Sequence, residues 1–368
     1  MPPGQWGNFQ VAQFSRSAQK PGVHPEAKLC HPNTRAMSSW EWVPLAAYAM
    51  GTRFEFLLGG EEATLLRAAG EVALEEVHRL EALLSRFRSD SEVFHLNAFA
   101  AEVPVRVSRT LFHLLQRAIA LSEDTEGAFD PTVAPLMRCW GFYQRQGLSP
   151  SSEQLAEALA CVGMDGLQLD AKNCTVRFQR PGLELDLGAI GKGLALEEAG
   201  WRLREAGIKV ALLHAGTSTV YALDPPPDEN GWKIAVRHPQ RGELAVVALR
   251  QEALAVSEVH GRTVTVEGRK IGHLLDPRTG QPVAHTRLAA AVTTSPTEAD
   301  ALSTAALVLG PQGCAPLAAR RPNLTLLLLT VGESGKEHFH PFGPERFQVL
   351  SAEESQGSEG QTNRRGST

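Results

Sequence analysis

Towards the end of a 368-residue chain, the segment SPTEADALSTAALVLG (295–310) sets Asp300 and Thr304 four residues apart. On a helix that spacing places a carboxylate and a hydroxyl on one face, one turn apart. The helix start is well specified: Ser295 and Glu298 have the capping-box spacing, and Pro296 falls at the favoured first position. Ala301, Leu302, Ala305, Leu307 and Val308 are core-forming residues, so the two oxygen-bearing side chains are set into a helix built to be buried. Two roles fit the pair. One is local, a solvated Asp beside a Thr that bonds back to a carbonyl. The other is a hard-cation site, because magnesium takes oxygen ligands, keeps several waters and uses one or two carboxylates together with substrate phosphates. Asp300 and Thr304 supply two such oxygens and cannot complete a site alone.

Three further stretches combine chemistry with tight turns. In LELDLGAIGKGLALEEA (183–199) apolar Leu183, Leu185 and Leu187 alternate with Glu184 and Asp186, the pattern of a strand, before a glycine-rich turn opens a helix around Ile190. Lys192 stands at that helix start, where an anion is favoured. The spacing is neither that of a P-loop nor that of a dinucleotide fingerprint, and a surface lysine on a tight strand–helix turn is the alternative. GAFDPTVAPLMRCWGF (127–142) is too apolar for a free loop, and Asp130 before Pro131 is held away from helical conformation. GHLLDPRTGQPV (272–283) turns through Asp276-Pro277 and Thr279-Gly280, with His273 beside the carboxylate. A strand histidine is usually structural; with a neighbouring carboxylate it becomes a candidate base.

The elements that must position these residues read as follows. A strand over 46–58 leads into an amphipathic helix over 61–87. Helices follow from Ser108 to about 124 and from Ser151 or Ser152 to Gly163. Short strands then dominate, at 166–170, 174–178 and 183–187, and again between 208 and 293, interrupted by a helix over 190–206. The helix over 295–309 comes next, and LTLLLLTV reads as a buried strand. Helices cluster early and strands late, so the pattern predicts an α+β fold with mixed or antiparallel sheets and packed helices rather than a doubly wound sheet. One domain is expected over 41–345, flanked by disordered tails at 1–40 and 346–368. The formal charge of −5 argues against nucleic-acid binding. No apolar run reaches the roughly 18 residues of a membrane span. Five scattered cysteines without a C-x-x-C pair, and an N-terminus without the apolar core of a secretory signal, predict a cytoplasmic location.

Taken in order, AMGTRFEF, LSRFRSDSEVFHLNA, GAFDPTVAPLMRCWGF, LDLGAIGKG, GHLLDPRTGQPV and EADALSTAALVLG resemble the FAD:protein FMN transferases, the ApbE-type flavin transferases, over about residues 46–332. The resemblance implies that fold and a magnesium-dependent transfer of FMN from FAD to a Thr or Ser hydroxyl of an acceptor protein, with release of AMP. It implies Asp300, Thr304 and the backbone carbonyl of Ala189 as metal ligands, and His273 as the base. Met50, Phe87, Ala128, Phe129, Asp130, Asp186, Lys192 and Asp276 are implied as FAD contacts, with Met50, Phe87 and Phe129 as walls of a flavin groove. The partners implied are FAD and the acceptor flavoprotein. The chain departs from the family pattern at HAGTS (214–218), where Thr217 replaces an acid, and at SEVHGR (257–262), where Glu258 replaces a glycine and Arg262 remains. The same site could instead hydrolyse FAD to AMP and FMN, or bind FAD without turnover.

Overall fold

The computed structural model describes residues 9–11, 40–238, 242–259, 261, 263–332 and 334–350. In chain order its elements begin with strands β1 (Phe9–Val11), β2 (Glu41–Ala49) and β3 (Thr52–Gly60). Helices α1 (Ala63–Leu84) and α2 (Glu92–Phe99) follow, then β4 (Val105–Arg106), α3 (Arg109–Asp124), α4 (Ala134–Cys139) and α5 (Ser152–Ala160). After β5 (Leu167–Asp170) and β6 (Thr175–Phe178) come α6 (Gly191–Glu205), β7 (Val210–Ala215), β8 (Thr219–Ala222), β9 (Trp232–His238), β10 (Gly242–Leu249) and β11 (Glu252–Glu258). The chain continues through β12 (Thr263–Val266), β13 (Arg269–Gly272), β14 (Thr286–Thr293), α7 (Pro296–Arg320), β15 (Thr325–Val331), β16 (Glu337–Phe342) and β17 (Gln348–Val349).

The α+β expectation holds. Eight strands in the order β16-β15-β14-β11-β8-β7-β3-β2 form a wholly antiparallel sheet. One face packs against α1, α6 and α7 through Phe54, Phe56, Ala255, Leu213, Leu302 and their neighbours. The other face packs on a second sheet, β1-β9-β10-β17, through Leu254, Val292, Leu327, Trp232, Ile234 and Val247. With both faces covered, the central strands carry apolar residues at nearly every position, as in TLLLLTV. An antiparallel sheet with one wet face would alternate instead.

Several expected boundaries move. The strand over 46–58 is a hairpin: Met50 (φ 51°) and Gly51 (φ 71°) are both left-handed, the requirement of a tight two-residue turn. Residues 183–187 are extended but outside any sheet. The Asn97 side chain bonds both the N–H and the C=O of Leu185, and Pro131 accepts from Asp186 N–H, so these partners do the work of neighbouring strands. Helix α1 stops at Leu84, short of 87, which frees Arg86 and Phe87 from the helix. The fold reaches into both expected tails, which corrects their bounds. Phe9–Val11 pair with β9, and the fold continues past 345, where Arg346 ion-pairs with Glu252 and Gln348–Val349 pair with β10. The other residues of 1–39, and 351–368, lie outside the described residues.

Helix α7 is long and apolar enough by composition alone to cross a membrane. It is instead the central core helix, broken at Gly310 (φ 64°, ψ −174°) and carrying buried Asp300. Its first turn is fixed from outside: Ser295 accepts the Glu298 N–H and donates to Glu197, Thr297 also donates to Glu197, and Arg117 grips that carboxylate through two nitrogens.

His214, in β7, is fully buried, and burial pushes its pKa down to about 3 from 6.5. A base depressed on folding contributes stability that is complete above its unfolded pKa and is lost as the pH falls. The unfolding free energy should therefore fall between pH 6.5 and about 3 by about 1.4 kcal/mol per pH unit more steeply than that of His214→Leu. Urea midpoints measured along a pH series test this; parallel curves would show that His214 does not titrate on unfolding.

Candidate functional site

Asp300 is 4% exposed, and its charge is met from three directions. Oδ2 accepts the backbone N–H of Gly193 at 3.1 Å, in the first turn of α6. Oδ1 accepts the Thr219 hydroxyl at 3.1 Å, from the start of β8. The Lys192 ammonium stands 3.4 Å from both oxygens and also donates to the Gly188 carbonyl at 3.1 Å. Asp300 thus supplies the anion that α6 lacks, because Ile190 at the helix start provides no side-chain cap. The close approach depends on a missing Cβ: one at Gly193 would lie 2.2 Å from the Pro296 carbonyl oxygen.

Thr304 lies one turn beyond Asp300. Its hydroxyl bonds back to the Asp300 carbonyl at 3.3 Å and meets Ser257 at 3.2 Å, and Ser257 meets Ser303 at 2.8 Å. The threonine back-bond of the local role is present, but the aspartate is buried and not solvated, and the Ser257, Ser303 and Thr304 hydroxyls cluster beside the Asp300 backbone carbonyl. Thr219 and Ser257 project from the same face of adjacent strands, since Thr219 pairs with Ala255 and side chains alternate along a strand.

Among the described residues no group of three or more His, Cys, Asp or Glu side chains could hold a metal. The donor set at Asp300 is of another kind, one carboxylate with hydroxyl and backbone carbonyl oxygens, which suits magnesium rather than zinc. The Lys192 ammonium, held between Asp300 and the Gly188 carbonyl, is a cation already drawn to these oxygens, and the residues present fit a hard divalent ion. Ala189 stands half-buried in the turn between Gly188 and the start of α6.

The remaining expected residues fall into two groups. The first stands in turns and segments between elements. Met50 is half-buried in the β2–β3 turn, its N–H bonded to Glu81 Oε1 at 2.6 Å. That hairpin abuts the 216–218 turn, where Gly216 N–H donates to the Arg53 carbonyl, and Ser218 in turn accepts from Val256 N–H in β11. Phe87 is 74% exposed, edge-on to Tyr143 at 6.2 Å. Asp186 accepts from Gly188 N–H, from the Tyr143 hydroxyl at 2.7 Å and from Arg86. Arg86 lies 3.9 Å from the centroid of the Tyr143 ring and also pairs with Glu184. A partly desolvated cation over a ring contributes about 0.5–2 kcal/mol. Burial and the adjacent Asp186 charge push the Tyr143 pKa up, which keeps its hydroxyl a donor.

His273 follows β13. A Cβ at Gly272 would fall 2.1 Å from the Val259 carbonyl oxygen, so that glycine lets the β12–β13 hairpin lie directly on the end of β11. His273 consequently sits beside Gly261, within van der Waals reach of the position a Cβ there would occupy. Arg262 lies outside the described residues.

Four expected FAD contacts, Ala128, Phe129, Asp130 and Asp276, have roles within the fold itself. Ala128 and Phe129 are 1% and 2% exposed and belong to the main core, so the Phe129 ring is packing and not a groove wall. Asp130 is buried and turned inward, accepting from Thr132 N–H and Met164 N–H, and burial raises its pKa. It borders a cavity of about 520 Å³ shared with Gly127, Met164 and Arg278, whose lining includes neither Asp300 nor His273. Asp276 shapes the 276–280 turn: its carboxylate accepts from Arg278 N–H and is bridged by the Arg278 guanidinium.

Sequence reasoning missed Thr219, Ser257, Arg86, Tyr143 and Glu197. Thr219 and Ser257 left one faint signal: Thr219 opens the apolar run VYAL and Ser257 closes the apolar run ALAV.

Comparison with known proteins follows the same outline. A sequence model described as the ApbE family matches residues 50–328. The FAD:protein FMN transferase of Haemophilus influenzae is 29% identical over 323 residues, covering 83% of this chain and 90% of that protein. The enzyme of the same description from Treponema pallidum is 32% identical over 287 residues, covering 72% and 79%. Among solved structures, the ApbE protein of Thermotoga maritima superposes with a TM-score of 0.74 at 29% identity, covering 82% of this chain and 97% of that one.

Because the atoms that a Cβ at position 193 would strike are backbone, Gly193→Ala must separate α6 from α7. It should cost roughly 1–3 kcal/mol, read as a lower urea midpoint. A variant as stable as the parent would show that the two helices do not cross this closely.

Proposed function

The chain belongs to the ApbE family, and from that premise we propose that it transfers the FMN half of FAD to a Thr or Ser hydroxyl of an acceptor protein. The observation that carries this reading is the meeting of the Asp300–Thr304 face of α7 with the glycine turn and Lys192 at the start of α6.

Asp300, the Thr304 hydroxyl and the Ala189 carbonyl would hold magnesium. When bound, the ion neutralises charge on the pyrophosphate. The chain's own groups supply the rest. Gly188 and Gly191 present no side chains to a phosphate at the α6 start, whose N–H groups favour an anion. Lys192 adds a mobile positive charge there. Phe87, set against Tyr143 and Arg86, offers an exposed aromatic surface for a ring of the dinucleotide, and Met50 an apolar one in the β2–β3 turn. The acceptor hydroxyl oxygen forms a bond to the FMN phosphorus as the pyrophosphate P–O bond breaks. AMP leaves with the bridging oxygen, and the hydroxyl proton passes to a His273 ring nitrogen.

Incubation with FAD, magnesium and a protein bearing an exposed Thr should yield a flavin-fluorescent band in a denaturing gel and one AMP per flavin attached. AMP released at an equal rate without acceptor, and no band, would establish hydrolysis instead. Asp300→Asn keeps an oxygen for the Gly193 N–H but removes the charge. Turnover should fall at least 100-fold at limiting magnesium, about the loss of one metal-type electrostatic contact, with the melting temperature nearly kept. An undiminished rate at limiting magnesium would remove Asp300 from the site. His273→Ala should slow transfer by about 10²–10⁴-fold, the usual worth of a positioned base, while FAD binding followed by flavin fluorescence stays within a few-fold. Loss of FAD binding would make the residue a pocket wall.

A further inference from the structure

We propose that Lys192 is a built-in competitor of the divalent ion. In the metal-free protein its ammonium occupies the oxygen set of Asp300, and metal loading drives it off towards the solvent side where the pyrophosphate binds. The proposal rests on the metal reading of Asp300 given above and adds a role for Lys192 that contact with FAD does not require.

The geometry points to a displaceable cation. Nζ is 3.4 Å from each Asp300 oxygen and 3.1 Å from the Gly188 carbonyl. A well-made ammonium–carboxylate hydrogen bond measures about 2.7–2.9 Å, so the ammonium is drawn to the carboxylate without being locked to it. The contacts that fix Asp300 are others: Gly193 N–H on Oδ2 and Thr219 on Oδ1, both at 3.1 Å. Each oxygen keeps a further lone pair, and Lys192 is the remaining charged partner within reach of both. A second cation at the same oxygens would lie within roughly 4 Å of the ammonium, where like charges repel strongly. The lysine stem has four methylenes and its side chain is 21% exposed, next to exposed Gly188, so the ammonium has a way out. Without metal, Lys192 compensates a buried carboxylate. With metal, that compensation is redundant and the charge is released for an anion.

The test uses the full-length protein without FAD and Mn²⁺ as the probe. Binding is measured by the electron paramagnetic resonance signal of free Mn²⁺ and by calorimetry, for wild type, Lys192→Met, Lys192→Gln and Asp300→Asn. Lys192→Met and Lys192→Gln should each bind one Mn²⁺ about tenfold more tightly than wild type, and Mg²⁺ should raise their melting temperatures more than it raises that of wild type. Asp300→Asn should not bind. The second readout is amine labelling: in wild type the Lys192 peptide should react faster with an acylating reagent when Mg²⁺ is present. If wild type binds Mn²⁺ and both lysine variants bind it equally or more weakly, competition is wrong while the metal site stands. If no protein binds Mn²⁺, both readings fail. Circular dichroism identifies a lysine variant that has not folded, and the wild-type labelling then decides: unchanged labelling overturns the proposal.

Discussion

A carboxylate that is 4% exposed on the central core helix constrains the rest of this molecule. Removing an ionised group from water costs several kcal/mol unless partners replace its hydration. Here the partners come from distant parts of the chain, a backbone N–H and an ammonium from α6 and a hydroxyl from β8. Those partners reach Asp300 only if α6 crosses α7 almost in backbone contact, and the missing Cβ of Gly193 permits that. The crossing is held at the start of α7 by a second polar knot, in which Arg117, Ser295 and Thr297 converge on Glu197. The Glu197 carboxyl sits below its usual range: burial acts to raise its pKa, but the bonds and charge from Arg117, Thr297 and Ser295 outweigh it. Two acids, Asp300 buried and Glu197 half-buried, are each satisfied by neighbours from other elements and thus set the distance between α6 and α7.

The layering explains where this chemistry stands. The large sheet is covered on one face by helices and on the other by a second sheet, which leaves little of its middle for polar groups. Candidate side chains stand where strands turn: Met50 in the β2–β3 hairpin beside the 216–218 turn, and His273 by the end of β11. Ser257 and Thr219 are the exceptions that reach inward, and both are matched by oxygens of α7.

Much of this was legible in the residues, and the failures share a physical cause. The α7 start was readable because Ser295, Pro296 and Glu298 act locally, within one turn of the helix they begin. The α+β class was readable because periodicity is local too. The Met50–Gly51 turn was not, since methionine is an unusual residue for a left-handed position and the sheet imposes that conformation. Residues 183–187 alternate like a strand yet pair with the Asn97 side chain, a partner 88 positions away from Leu185. Phe129 was expected as a groove wall because its motif is shared with the flavin transferases, but sharing a motif does not say which atoms face the ligand, and here the ring faces the core. The coming together of Asp300 and the LGAIGKG turn was expected from the resemblance alone. No local pattern encodes a contact between Gly193 and Asp300, separated by 107 positions.

The two departures from the family pattern take on a different meaning once their neighbours are known. Thr217 stands where an acid is usual, on the exposed turn two residues before Thr219. Glu258 stands where a glycine is usual, at the end of β11. These positions are adjacent in space, because β11 pairs with β8 and Val256 N–H donates to the Ser218 carbonyl at 2.7 Å. Set against that pattern, an acid is absent from the turn and another is present on the neighbouring strand, so the local count of carboxylates is the same although the position differs. A cation approaching this end of the sheet meets the same net charge either way, and long-range attraction depends on charge more than on the strand that carries it. The bond from Thr219 to Asp300 is untouched by either change, because Thr219 belongs to the ordered strand and not to the turn. The departures thus lie where β8 begins and β11 ends, and leave the bonds to Asp300 in place.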